Sequence, residues 1–412
     1  MNNDIRTVTK CKCCGNNKTR IVLKLADTPL EDQFLRQKVY QPEYPLELAF
    51  CDHCSFTFLR HEVVENLSYN DYSYNTKITT GLQTHYQEFA SSLVNKYALL
   101  RGAFAIDLGS NDGTMLEAFQ TNGLRVLGVE PASRIAEAAT KSGLQTLAGY
   151  FSKKLGEKIA QKHGQADVIT ANYMFANISN ISDFLDGVFA LLSDTGVFII
   201  QTGYHPSQFE KCMFDYIYHE HYSYFTIKSL KTLLNKHGLY INFIETEEPK
   251  GGSVRVHISK KEPKAVGEKL ISNYLNEERK NGWLDGSAFT FLKTEISRKK
   301  VVLGDLIKQH VCRESDLIGF GASHSTTTLV AEFKLSRELK YIVDDNEVKH
   351  DTFSPGMHIP VFSSEKIYSL QPSTVIILAW QHSQTIIDRH RKFLENGGCF
   401  IIPLPEPLVI RG

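Results

Sequence analysis

The chain has 412 residues, with 46 Lys and Arg against 46 Asp and Glu and a formal net charge of zero. That length suits two or three domains with ample core, and the balanced charge argues against nucleic acid or a membrane surface as the main partner. No apolar run reaches membrane-spanning length, and Met1-Asn2-Asn3-Asp4 opens no signal-peptide core, so a cytoplasmic protein is expected.

Five of the eight cysteines fall in the first 54 residues. Cys11 and Cys14 form one C-x-x-C, and Cys51 and Cys54 form another. Two such knuckles supply the four thiolates of a structural Zn²⁺ site, and four protein ligands close it. In a cytosolic chain metal is expected rather than disulfides; free thiols are the other reading, and Cys13 and His53 are spare ligands. Cys212, Cys312 and Cys399 are scattered and read as packing residues. Residues 23–48, interrupted by Pro29, Pro42 and Pro45, read as loops and short strands. Tyr69, Tyr72 and Tyr74 come before an amphipathic helix over about 81–97. Tyrosines there suit a packed domain junction or a polar ligand site.

Residues 104–114 read as a buried strand, a glycine turn and a helix start, with the turn D-L-G-S-N-D-G over 107–113. A second apolar run, 124–129, ends in Glu130. Strand, glycine loop, helix, strand and acid build the crevice where an open α/β sheet binds a nucleotide-like ligand. Glu130 is placed to accept hydrogen bonds from two ribose hydroxyls. A dinucleotide turn would be G-x-G-x-x-G. Here Asp107 and Asp112 would repel a pyrophosphate but suit a ligand with an amino group and a sulfonium, which is S-adenosylmethionine. The candidate donor-binding residues are Asp107, Gly109, Ser110, Asn111, Asp112, Gly113, Glu130, Pro131 and Asn172.

Strands are expected over 166–171 and 197–202, with 193–196 as the turn before the second. A helix is expected from about 227 to 237, ending at Gly238. Residues 254–258 alternate like a half-exposed late strand. The densest chemistry lies in Tyr216-Ile217-Tyr218-His219-Glu220-His221-Tyr222. Histidine beside a carboxylate suits general-base work. A metal site, an exposed polar turn or a satisfied core network also fits the composition. From 262 to 309 the pattern is a helical connector broken at Gly282 and Gly286. A second α/β unit follows, with a G-x-G turn at Gly319 and Gly321 and uncharged donors, Ser323 among them, at a helix start. That suits a nucleotide-sugar diphosphate better than a dinucleotide.

Two zinc knuckles, the D-L-G-S-N-D-G loop and a Y-H-E-H tract before a nucleotide-binding-like C-terminal unit together resemble a known family. It is that of the sugar C-methyltransferases acting on dTDP-4-keto-deoxyhexoses, which includes C-3′-methyltransferases of tetronitrose biosynthesis. The resemblance covers nearly the whole chain. It implies an α/β protein of three parts. A zinc-binding lobe would occupy 1–70, a Rossmann-like S-adenosylmethionine-dependent methyltransferase domain 71–260, and a Rossmann-like nucleotide-sugar domain 261–412. It implies Tyr218, Glu220 and His221 as catalytic residues, His221 being the base, together with a tyrosine for which Tyr72 and Tyr74 both qualify. Asn177 stands where the family carries a His, so only a hydrogen-bonding role is open to it. His219, Tyr222, Gly321, Ser323, His324, Asp344 and His358 are candidates to face a dTDP-linked keto-deoxysugar. A monomer is expected, with no nucleic-acid or membrane partner. Carbon C-5 of a related sugar, a zinc-containing nucleic-acid methyltransferase and a non-catalytic binding protein are the alternatives.

Overall fold

The computed structural model describes residues 4–64, 67, 81–247, 251–311 and 317–412. The N-terminal lobe is antiparallel. Strands β1 (Ile5–Thr7) and β5 (His61–Val63) pair with each other, while β2 (Thr19–Lys24), β3 (Glu47–Cys51) and β4 (Thr57–Leu59) form a separate sheet. Its outer strand is not local: β11 (Ser223–Tyr224) closes the order β11-β4-β3-β2.

The central sheet contains β6 (Phe104–Leu108), β7 (Arg125–Glu130), β8 (Thr146–Ala148), β9 (Ala166–Asn172), β10 (Leu192–Gly203), β12 (Tyr240–Glu247) and β13 (Ser253–Ser259). Their order is β12-β13-β10-β9-β6-β7-β8, parallel from β10 to β8 and antiparallel at β13 and β12. Every residue of β6 is buried, as expected of a parallel strand covered on both faces. The strand order reverses beside β6, so a crevice opens beyond the carboxyl ends of β6 and β9. Helix α1 (Leu82–Lys96) packs against α2 (Thr114–Thr121), which starts at Gly113.

Two expected features differ. Residues 193–196 are not a separate turn: β10 runs through them, its register against β9 shifting between Leu192 and Val197. The strand at 254–258 is buried rather than half-exposed, because β12 lies outside it and takes the edge. Helix α3 (Ile227–Lys236) starts from a Thr226–Ser229 capping box, and Glu278 of α4 (Ala265–Lys280) accepts the amides of Ile227 and Lys228 at 2.5 and 3.0 Å. Such a cap satisfies helix donors that have no partner within the helix. Helix α5 (Ala288–His310) follows the break at Gly282 and Gly286.

The C-terminal sheet holds β14 (Leu317–Phe320), β15 (Ile342–Asp344), β16 (Thr352–Phe353), β17 (Pro360–Ser363), β18 (Thr374–Ile377), β19 (Cys399–Ile402) and β20 (Leu408–Arg411). It runs β16-β17-β15-β14-β18-β19-β20, and α6 (His324–Glu332) follows β14. No described helix is long and apolar enough to cross a membrane.

Charge joins the three parts. The imidazole of His324 lies 3.7 Å from Asp32 on one side and 3.5 Å from Glu220 on the other, and Lys349 reaches Asp32 at 2.5 Å. Burial opposes charge on His324, but the two carboxylates outweigh it and raise its pKa to about 9. The protonated ring therefore stabilises this junction fully below its ordinary value of 6.5, and that contribution is lost as the pH rises through about 9. The melting temperature should fall over that upper range. His324→Gln should melt lower at neutral pH and show a flatter profile. Parallel profiles for the two proteins between pH 7 and 10 would remove His324 from the junction.

Candidate active site and metal centre

The crevice beyond β6 is a cavity of about 300 Å³. From the glycine loop it is lined by Asp107, Gly109, Ser110 and Asn111, from β7 by Glu130 and Pro131, and from β9 by Asn172, Tyr173 and Met174. The register Asp107↔Thr170 brings two polar residues together inside the sheet, and Thr170 donates to Asp107 Oδ1 at 2.6 Å. Asn172 Nδ2 adds a contact at 3.3 Å. Burial pushes the Asp107 carboxyl up to about 7 against the pull of these bonds. Gly109 has φ +70°, and a Cβ there would come within 2.8 Å of Met174 Cγ. Asn111 is itself left-handed, at φ +47°. Its amide donates to Glu130 Oε2 and the Ala132 amide to Oε1, each at 2.9 Å. Each carboxylate oxygen keeps a further lone pair for a ligand hydroxyl. Asn172 Oδ1 and Ser110 Oγ are buried and find no partner among the described residues. Buried polar atoms of that kind call for a ligand's polar groups, and they fit the amino and hydroxyl groups of S-adenosylmethionine. Asp112 and Gly113 do not line this cavity. Asp112 bonds the Thr114 amide at 3.0 Å, and Gly113 is the N-cap of α2.

A smaller chamber of about 30 Å³ lies beside the cavity and shares Tyr173 with it; His205, Tyr216, His221 and Tyr224 also line it. His221 Nδ1 lies 3.1 Å from the Tyr216 carbonyl oxygen, and His221 Nε2 lies 2.9 Å from the Tyr218 hydroxyl. A carbonyl only accepts, so Nδ1 carries the hydrogen and Nε2 is the basic nitrogen, accepting from Tyr218. The carbonyl thus holds the position beside the ring that a carboxylate would have taken, and Glu220 is directed at His324 instead. His205 is buried among Phe209 and Trp283, and burial lowers its pKa to about 3, which keeps it neutral.

The remaining candidates are dispersed. His219 is fully buried, within 3.2 Å of both the hydroxyl and the carbonyl of Thr28, and burial lowers its pKa to about 4. Tyr222 is buried and donates to the Val63 carbonyl at 3.0 Å. Both therefore face the N-terminal lobe. Asn177 lines the large cavity from the turn Phe175–Asn177. Asp344 accepts the amides of Ala322 and Asn346 at 2.6 and 2.7 Å. The Ser323 hydroxyl is engaged in a capping box with Thr326. Gly321, at φ +109°, leaves no room for a Cβ against Ala379. His358 Nε2 donates to the Val39 carbonyl at 2.8 Å. Tyr72 and Tyr74 lie outside the described residues, as do Tyr69 and Cys312.

Several lining residues are not among the candidate site residues read from the sequence, although the strand end that carries Tyr173 is expected to face this crevice. Tyr86 of α1, Tyr173, and the loop Gly149, Tyr150, Phe151 and Ser152 all line the large cavity. The loop follows β8, whose three residues are too few for a periodic signal.

The four cysteines meet as expected. Their sulfurs all lie within 4.8 Å of one another, with Cys11–Cys54 at 3.5 Å and Cys14–Cys51 at 3.6 Å. A tetrahedron with Zn–S near 2.3 Å has edges of roughly 3.8 Å, so the cluster fits a closed Zn²⁺ site. Cys13 is buried with its sulfur 3.8 Å from the Ser229 carbonyl, and His53 is exposed. Elemental analysis should return one zinc per chain. Cys51→Ser should release it and loosen the lobe, since metal in such clusters supplies about 10–16 kcal/mol of folding free energy. The Leu59 amide, which donates to Tyr222 O at 3.1 Å, should then exchange with deuterated water much faster. Unchanged exchange in a zinc-free protein would show that the metal does not hold the sheet.

The chain matches three families in series. Residues 11–69 match "Putative zinc binding domain", residues 82–242 "Methyltransferase domain", and residues 248–405 "C-methyltransferase C-terminal domain". C-methyltransferase NovU of Streptomyces niveus is 31% identical over 417 residues, covering 100% of this chain and 99% of that protein. A ubiquinone biosynthesis O-methyltransferase of Rhodopseudomonas palustris (strain TIE-1) is 27% identical over 104 residues, 25% of this chain and 41% of its own length. Among solved structures, magnesium protoporphyrin IX methyltransferase (ChlM) of Synechocystis PCC 6803 with bound SAH covers 46% of this chain and 90% of its own. Its identity is 13% and its TM-score 0.35. On the full-length relative and the three domain matches, the chain belongs to the C-methyltransferase family, as an S-adenosylmethionine-dependent enzyme with a four-cysteine zinc-binding domain.

Proposed function

We propose that this enzyme methylates the carbon beside the ketone of a nucleotide-linked keto-deoxysugar, at C-3′ of a dTDP-4-keto-6-deoxyhexose, with His221 as the base. The observation that carries this reading is the pair of contacts on the His221 ring. The Tyr216 carbonyl at 3.1 Å fixes the hydrogen on Nδ1, and the Tyr218 hydroxyl at 2.9 Å marks Nε2 as the acceptor. A hydrogen on a carbon next to a ketone is acidic, because the negative charge moves onto the oxygen. Nε2 takes that proton. Once protonated it no longer accepts from Tyr218, so the phenol O–H is released to donate to the enolate oxygen. S-adenosylmethionine supplies an electrophilic methyl group to the carbon so activated. A C–C bond would replace the C–H bond as the donor's S–CH3 bond breaks, its electron pair staying on the sulfur of the departing S-adenosylhomocysteine. The proton stays on Nε2 until it passes to solvent.

The donor is assigned to the large cavity, with Glu130 on the ribose hydroxyls, and Asp107 and Asn172 Oδ1 near the amino group. The unpartnered atoms and the two carboxylates support that assignment. A nucleotide sugar as acceptor is supported by the C-terminal turn, whose His324 reaches Glu220 within the same tract as His221. Asn177 is assigned a hydrogen-bonding role, since an amide does not titrate.

Glu130→Ala should weaken S-adenosylmethionine binding about tenfold or more in calorimetry, the scale of losing hydrogen bonds to a charged group. Unchanged affinity would move the donor elsewhere. His221→Asn should keep donor affinity and lose about 10²–10⁴-fold in turnover. Exchange of the sugar's α-hydrogen with deuterated water, in the presence of S-adenosylhomocysteine, isolates the proton step. If His221→Asn exchanges that hydrogen as fast as the parent enzyme, another group is the base.

A further inference from the structure

Where β9 ends, one side chain is shared by the two compartments. Tyr173 lines both the 300 Å³ cavity and the 30 Å³ chamber that holds His221. Its backbone is left-handed, at φ +55°. A bulky aromatic residue adopts that conformation only where its surroundings impose it, and such strain gathers at functional sites. Both ends of the residue are fixed by one neighbour. The Tyr173 amide donates to the Gln201 carbonyl at 2.7 Å, and Gln201 Nε2 donates to the Tyr173 hydroxyl at 2.8 Å. Gln201 is fully buried. The residue between these anchors is therefore a fixed part of the wall that both compartments share.

Methyl transfer needs a cationic donor on one side of such a wall's edge and the reacting carbon on the other. An aromatic face attracts a cation through its quadrupole, whereas a neutral thioether makes only the weaker sulfur–aromatic contact. We propose that Tyr173 is a donor-binding residue whose ring carries the sulfonium, so that the site favours charged S-adenosylmethionine over neutral S-adenosylhomocysteine. The proposal rests on the donor lying in the Glu130 cavity. It gives the ring two effects: it directs the methyl toward the His221 chamber, and it holds the charged donor more tightly than the demethylated product.

Calorimetry with each of the two ligands tests it. Tyr173→Phe keeps the ring and should keep the ratio of the two affinities. Tyr173→Asn removes the ring and suits the left-handed backbone, so the fold should persist, and binding of S-adenosylhomocysteine reports that directly. Its affinity for S-adenosylmethionine should fall roughly three- to thirty-fold, with S-adenosylhomocysteine changed less, so that the ratio of the two affinities drops. Tyr173→Leu should behave like Tyr173→Asn. Glu130→Ala should weaken both ligands together. If it weakens both while Tyr173→Asn leaves their ratio unchanged, or lowers both equally, the role of Tyr173 is overturned and the donor placement stands. If Glu130→Ala leaves both unchanged, the donor placement fails and this proposal with it.

Discussion

The pairing of β11 with β4 is the interaction on which the rest of the site depends. The segment between β10 and α3 leaves the central sheet and carries His205, Tyr218, Glu220 and His221 with it. Its buried backbone groups must find partners outside that sheet. They find them on the N-terminal lobe, through the registers Ser223↔Phe58 and Tyr224↔Thr57 and the bond from the Leu59 amide to Tyr222 O. Strand β4 is held in turn by the turn from Cys51 to Cys54, which contributes half of the metal ligands. A closed Cys₄ site leaves no position for a substrate. It is linked to the tract proposed for the active site through a few residues of paired strand.

The same segment is tied on its other side. Asp215 is fully buried and accepts Trp380 Nε1 at 2.8 Å, and Thr328 donates to the Ile217 carbonyl at 3.0 Å. Thr327 joins the C-terminal helix to the Glu31 carbonyl. Lobe and C-terminal domain thus grip one tract between them, and within it the Tyr216 carbonyl and the Tyr218 hydroxyl orient His221.

Buried acids set the electrostatics. Burial raises Asp107 and Asp215 to about 7 and Glu31 to about 8. Each carboxylate keeps what charge it has through N–H and O–H donors, which offset the loss of water. A carboxylate at a buried junction gains from a cationic partner, and His324 is that partner for Asp32 and Glu220. In the cavity proposed for the donor no Lys or Arg is among the lining residues, so the acids there meet no cationic side chain.

The sequence by itself determined whatever is encoded within a few residues. The two C-x-x-C pairs, the turn from Asp107 to Gly113 with Glu130 at the next strand end, and the buried parallel strands were all legible. Knuckle spacing, turn chemistry and apolar runs are local properties. The Y-H-E-H tract was legible as chemistry but not as geometry. The tract is a turn, closed by the His221 amide on the Tyr218 carbonyl at 3.0 Å, and which of its side chains faces substrate depends on the strand that pairs just beyond it. That partner, β4, lies more than a hundred residues away, and β11 is two residues long, so no periodicity announces the pairing. Only the tertiary structure therefore turned His219 into the lobe, gave Glu220 to His324, set the Tyr216 carbonyl against His221, and placed Tyr173 between the two compartments.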